Sequence, residues 1–243
     1  TVLIYMRDPI AAQLLAENNL DGSLYPSEGD YLMVVDTNMG YNKVNPNIEE
    51  TIAYRLTINE DGTARGEVTI TYLNKSAKKV TECVQEAKYE PTYNQMMEGC
   101  YWDYVRVYVP EGSLLVEAKG FEELTIGPAE GGKNVFATFL VIAPGEHRQI
   151  SFTYDLPKGV LTDGSNRKYN LYVQKQPGTS AIPLCVTFVL PPQTRLDAVE
   201  PDPASVQGNI VEYQSTLLTD QRLAVTFTVA NDMPRPRLIG VRQ

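Results

Sequence analysis

One histidine, one tryptophan and three cysteines stand in 243 residues. Their scarcity excludes much. With no C-x-x-C pair and a single imidazole, a zinc site built from cysteine and histidine is improbable. A nucleophilic triad would have to use His147, in "PGEHRQ", but no G-x-S-x-G accompanies it. His147 therefore reads as a solvated turn residue. No run approaches the ~18 apolar residues of a membrane-spanning helix. Positive charge is in deficit: 21 Lys and Arg against 30 Asp and Glu leave a net charge of −9. A nucleic-acid duplex is repelled overall, and no nucleic-acid partner is expected. No repeat or low-complexity tract is present. The paired acids at Glu49-Glu50, Glu60-Asp61, Glu122-Glu123 and Glu200/Asp202 do not form a glycosidase pair by themselves, because neighbouring side chains on a strand face opposite ways. Surface solvation accounts for them. No signal peptide is visible, and the chain opens on "TVLIYMRDP" as though a strand were already under way, so we expect a piece of a longer protein.

What is plentiful is punctuation and alternation. Seventeen glycines, sixteen prolines and fifteen tyrosines accompany a 43% hydrophobic content, which suits many short strands around a sizeable core. Asp8 followed by Pro9 caps a short helix whose apolar stripe is Ile10, Leu14 and Leu15. "YLMVVD", 31–36, is a buried-looking strand. "TIAYRLTI" and "ARGEVTITYL", joined through Asp61-Gly62, form the clearest hairpin. Further strands are expected at 102–109, 113–118, 134–142 and 148–156, and, after a polar connection at 157–167, in "YNLYVQKQ", "PLCVTFVLP", "NIVEYQ" and "RLAVTFTVA". The expected fold class is mainly β: an antiparallel β-sandwich, either one immunoglobulin-like or larger unit or two in tandem, with one short N-terminal helix. The organisation read from the chain is an N-terminal strand-helix-strand segment at 1–50 that packs on the sandwich or completes an upstream domain. A sandwich follows at 51–156. A second β region at 157–232 either stands alone or adds strands to the first, and 233–243 form a tail.

Four groups of residues invite a function. Cys83 and Cys100, seventeen positions apart, flank a polar segment and are either a disulfide, contributing roughly 3 kcal/mol in the chain-entropy model, or two unrelated thiols. Cys185, in a strand, reads as a small buried apolar residue. In "CYWDYVRVYVP", Trp102, Tyr104, Arg106 and Tyr108 share one strand face opposite Val105, Val107 and Val109. They are either a ligand platform or a covering layer of the sandwich. In "DTNMGYNKVNPNIEE", Asp36, Asn38 and Asn42 partly resemble a calcium loop, although Tyr41 occupies the position where the loop glycine belongs. Asparagines bonding the backbone of tight turns are the plainer account. Asn74-Lys75-Ser76 matches a glycosylation sequon.

Taken together, "IYMRDPIAAQLLAENNLDG", "GDYLMVVDTNMGYNKVNPNIEETIAYRLTI", "CYWDYVRVYVPEGSLL" and "YNLYVQKQPGT" resemble the bacterial envelope-associated family called domain of unknown function 4012, in its C-terminal portion. The resemblance spans about 1–230 and is most specific through Tyr54. It implies an extracytoplasmic position, anchored by a transmembrane helix upstream of this chain, and it favours the disulfide. It supplies no activity. The expected function is thus a non-catalytic extracytoplasmic module that binds a cell-envelope protein or glycan, or supports an upstream domain. No cofactor is expected unless calcium binds at Asp36, Asn38 and Asn42. The alternatives are part of an enzyme acting on envelope polysaccharide or lipid-linked glycan, with its site mostly upstream, and a calcium-stabilised structural module.

Overall fold

The computed structural model describes residues 4–18, 20–26, 28–121, 123–162, 164 and 166–229. The tail at 233–243 and the expected strand residues 2–3 lie outside the described residues. Two seven-stranded sheets form a β-sandwich. Sheet A runs β11 (Thr194–Glu200), β14 (Gln221–Val229), β9 (Asn166–Gln174), β1 (Asp30–Asn38), β4 (Tyr101–Pro110), β7 (Lys133–Ile142) and β6 (Leu124–Glu130). Sheet B runs β12 (Ser205–Gln207), β13 (Ile210–Leu217), β10 (Ile182–Val189), β2 (Ile48–Ile58), β3 (Ala64–Asn74), β8 (His147–Asp155) and β5 (Leu114–Lys119). The ladders are antiparallel except at two places. β9 runs parallel to β1, and β10 runs parallel to β2. The strands after residue 166 therefore extend both sheets through parallel joints near the middle of each.

Period-two alternation generates this layout. Val105, Val107 and Val109 point inward from β4, meeting Tyr54, Leu56, Val68 and Ile70 from sheet B in one continuous core. Each such side chain, fully removed from water, contributes about 1.5–3 kcal/mol. The β2–β3 hairpin closes with Ile58 opposite Ala64. Its turn is held by Asp61, whose carboxylate accepts from the Thr63 N–H at 2.9 Å, and by Gly62 at φ +83°.

β1 is buried on both faces, which explains its unbroken apolar run. Leu32 and Val34 face the core. Tyr31, Met33 and Val35 lie on the outer side with Tyr108, Val135 and Tyr172, beneath Leu24 and Tyr25 of the preceding segment. Gln174 fastens that segment: its Oε1 accepts from the Tyr25 N–H (2.8 Å) and the Tyr31 hydroxyl (2.6 Å), and its Nε2 donates to Ser23 O (3.0 Å). Gln176 uses its side-chain amide as a substitute strand, accepting from Asp36 N at 2.9 Å and donating to Asp36 O at 2.8 Å. "KQPGT" is accordingly a device for holding β1.

Several expectations need correction. The helix, α1 (Pro9–Glu17), is capped by Asp8 as read, but its apolar stripe does not face the core: Ile10 is 81% and Leu14 60% exposed. The sandwich buries only the chain that follows the helix. Cys185 is half-exposed, because it sits on the outer face of β10 while Leu184 and Val186 take the core. The sequon asparagine, Asn74, is fully buried and donates to Gly99 O and Ile142 O, so it is closed to glycosylation in the folded chain. Three strands not anticipated, β6, β11 and β12, are edges of the two sheets.

One polar network lies inside the core. Asp30 is enclosed, and its carboxylate accepts from the Tyr54 hydroxyl (2.5 Å), the Tyr169 hydroxyl and the Tyr31 N–H (2.7 Å). Gly66 makes room for it: a Cβ there would meet Tyr54 Oη at 2.7 Å and the Tyr154 ring at 2.9 Å. Burial raises the Asp30 pKa to about 6 despite the donors. The folded value lies above the ordinary carboxylate value of 3.8, so the native state keeps a proton that the unfolded chain has lost. Stability therefore falls as pH rises between the two values, by about 3 kcal/mol at full amplitude. Urea unfolding from about pH 4 to about pH 6.5 should show this extra fall in the wild type and not in Asp30→Asn; equal slopes would contradict it. Gly66→Ala should cost about 1–3 kcal/mol through overpacking against the two tyrosines, and an unchanged urea midpoint would show that the rings move aside freely.

Candidate functional site

Polar chemistry gathers at the end of the sandwich where β1 and β3 finish and β2 and β4 begin. Its frame is a disulfide. Cys83 and Cys100 are bonded, with Cα atoms 5.9 Å apart, which indicates an oxidising, extracytoplasmic environment. The bond pins the long β3–β4 connection to the start of β4. The asparagine-rich stretch after β1 forms a bed for that connection. Asn42 Nδ2 donates to Cys100 O (2.8 Å) and Asn47 Nδ2 to Met97 O (2.7 Å), and Gln85 Nε2 returns a bond to Met39 O (2.7 Å). The asparagines thus bond a neighbouring loop as well as their own turn.

The oxygens considered for calcium are spoken for. Asn38 Oδ1 accepts from the Gly40 N–H, and Asn38 Nδ2 donates to the side-chain oxygens of Asn42 (2.9 Å) and Asn45 (2.8 Å). Asp36 turns away into the core and accepts from the Tyr72 hydroxyl at 2.7 Å. Asp36, Asn38 and Asn42 are therefore not brought together as a ligand set. Among the described residues, no group of three or more His, Cys, Asp and Glu side chains is arranged to hold a metal ion.

Asp36 instead meets two acids that the sequence reading did not single out as a site. Asp103 is fully buried on β4, and Glu50, assigned above to the solvated surface, points inward from β2. The charge of Asp36 acts on both. Burial pushes all three carboxyls up, and the Asp36 charge adds to the rise at Glu50 and Asp103. Among the described residues, no donor meets Glu50 Oε1 or Asp103 Oδ2, which agrees with the upward push on both carboxyls. The signal was available in the sequence. Asp36 shares parity with Leu32 and Val34, Glu50 with Ile52, and Asp103 with Val105, so alternation alone sets three acids on core faces.

The aromatic platform is partly formed. Trp102, Tyr104, Arg106 and Tyr108 do share the outer face of β4, but in different settings. Tyr108 is buried under the covering segment and donates to Glu130 Oε2 at 2.9 Å. Arg106 lies 5.5 Å from the Tyr108 ring centre and 3.6 Å from Glu130. Trp102 and Tyr104 remain half-exposed. Trp102 leans on Phe139, with ring centres 6.2 Å apart. Gly40 allows loop 39–42 to close on the indole: a Cβ at Gly40 would come within 2.9 Å of Trp102 Cδ1. Trp102 then forms one wall of a depression of about 270 Å³ with Tyr41, Asn42, Lys78, Glu82 and Gln85 around it. The sequence reading missed Tyr41 as a partner of Trp102, because the disulfide loop and the turn that join them are distant in the chain.

A second depression, of about 490 Å³, opens on the outer face of sheet A over β9 and β14. Tyr25 stacks on Tyr172 with centres 4.2 Å apart, and Arg222 lies over both rings. Neither depression includes Asp36, Glu50 or Asp103 in its lining.

No protein-family model matches the chain, and no curated protein matches it. Solved structures with a similar course are remote. A "putative nutrient binding protein" from Legionella pneumophila is 11% identical over 83% of this chain and 72% of its own, with a TM-score of 0.46. Native leukotriene A4 hydrolase from Saccharomyces cerevisiae is 8% identical over 76% of this chain and 30% of its own, with a TM-score of 0.42. The M1 zinc metallopeptidase from Deinococcus radiodurans is 12% identical over 75% of this chain and 42% of its own, with a TM-score of 0.37. This chain spans less than half the length of the latter two proteins.

Proposed function

We propose that the chain is a non-catalytic, extracytoplasmic module of the cell envelope whose ligand is a glycan, seated in the depression beside Trp102. The observation that carries this reading is the pairing of Trp102 with the exposed Tyr41 around a space of about 270 Å³. A sugar ring offers apolar C–H faces, which an indole or phenol accepts. Its hydroxyls act as both donors and acceptors, which is what the amide of Gln85, the carboxylate of Glu82 and the ammonium of Lys78 supply at the rim. The size suits one or two sugar units rather than a protein surface. The disulfide and the asparagine contacts hold the walls in place before a ligand arrives, which reduces the ordering cost of binding. The resemblance to domain of unknown function 4012 supports an extracytoplasmic position with an anchoring helix upstream.

Trp102 is the chain's one tryptophan, so emission excited where the tyrosines do not absorb reports this depression alone. Titration with envelope oligosaccharides should change that emission saturably and release heat in parallel. Trp102→Ala and Tyr41→Ala should each weaken binding by about tenfold or more, and Tyr41→Ala, at the exposed wall, should do so without altering the unfolding midpoint. Absence of both heat and emission change across envelope glycans would overturn the proposal.

A further inference from the structure

The second depression has a charge arrangement that points to a different ligand. Across its floor the register sets Glu200 of β11 opposite Ala224 of β14, and Ala224 opposite Asn170 of β9. One step along β14 on the same face, Arg222 lies opposite Tyr172. Glu200 and Arg222 are thus diagonal neighbours, with Cβ atoms about 7–8 Å apart in such a lattice, close enough for an ordinary surface ion pair. They do not pair. Arg222 is drawn the other way: its Nη2 donates to Tyr25 Oη at 2.8 Å, and its guanidinium carbon lies 5.0 Å from the Tyr25 ring centre and 5.4 Å from that of Tyr172. The tyrosine stack therefore holds the cation away from the carboxylate. Between them is a gap floored by the small side chain of Ala224. The Asn170 side chain lines this gap and, like that of Glu200, makes no hydrogen bond or ion pair among the described residues.

We infer that this gap is a binding site for a free α-amino acid. Such a ligand carries a carboxylate and an ammonium on one carbon, so it can meet Arg222 with the first and Glu200 with the second across the Ala224 methyl. Asn170 offers an amide to either. Arg222 is well suited to the carboxylate because its fork leaves N–H groups free after the bond to Tyr25. Charges of both signs line the depression, Glu28 and Glu200 against Lys168 and Arg222, so a zwitterion, compensated at both ends, fits it better than a ligand of one sign. The wall of Tyr25 and Pro26 selects an apolar or aromatic side chain. The site lies on different strands from Trp102 and stands whether or not the glycan reading holds.

The test is isothermal titration of the whole chain with L-phenylalanine and L-leucine, beside N-acetyl-L-phenylalanine, which lacks the ammonium, and L-phenylalaninamide, which lacks the carboxylate. Saturable binding of the two amino acids is expected, with each blocked analogue weaker by about tenfold or more. Glu200→Gln should erase the discrimination against the N-acetyl compound, Arg222→Gln that against the amide, and Ala224→Leu should fill the gap and remove binding. Glu200 and Arg222 are exposed, so the first two variants should fold normally, and Trp102→Ala should leave amino-acid binding intact. No binding at millimolar amino acid, or blocked analogues that bind as tightly as their parents, would overturn the inference.

Discussion

The two sheets bury each other's apolar faces only because the strands before residue 157 and those after residue 166 are joined edge to edge. The joints are the parallel ladders β1–β9 and β2–β10. Parallel pairing cannot be made by a tight turn, so each ladder brings together stretches more than a hundred residues apart and takes a large loop-closure cost. That cost is offset by burial on β1, which is covered on both faces, and by the side chain of Gln176, which continues the bonding where the backbone ladder ends. Loss of the β1–β9 joint would uncover Tyr31, Met33 and Val35 on one side and Leu32 and Val34 on the other.

Polar groups in the core are set at two levels along the strands. At the start of β1, Asp30 is answered by tyrosine hydroxyls, with space supplied by Gly66. At the other end of the same strand, Asp36 accepts from Tyr72 and stands beside Glu50 and Asp103, whose carboxyls burial and the Asp36 charge push up. A carboxylate in a dry interior is costly unless each lone pair is met or the charge is removed. The chain sets tyrosine donors against the acid at each end, and burial pushes the carboxyl up at both. Both clusters engage sheet A and sheet B at once, so they fix how one sheet is laid on the other, a task for which apolar contacts are less selective.

The central strands were legible because their alternation is strict and their partners supply the complementary faces. β2, β3, β4, β8 and β10 follow the sequence pattern closely. Three of the four edge strands, β6, β11 and β12, were not. β6, "LTIGPAE", carries a glycine and a proline and buries none of its residues, and β11, "TRLDAVE", likewise has no fully buried residue. An edge is defended by such composition and so does not resemble a strand. The disulfide was legible from spacing, whereas the partners of Trp102 were not, since loop 39–42 reaches the indole only after the β3–β4 connection has been tied down. The stripe of α1 misled because capping and periodicity describe a helix and say nothing about what stands beside it. The second depression had no sequence signal: Tyr25, Asn170, Glu200 and Arg222 become neighbours through β-sheet register alone.

The outward side of sheet B is of another kind. Thr51, Thr69, Thr71, Ser151 and Thr153 alternate there with the core residues, giving a hydroxyl-rich surface without the aromatic cover found across the molecule. The module therefore has a front and a back. Laid on a wall or a neighbouring protein by its threonine side, it would present the tyrosines, the indole and the guanidinium together to the medium, whereas the reverse posture would stop both openings at once.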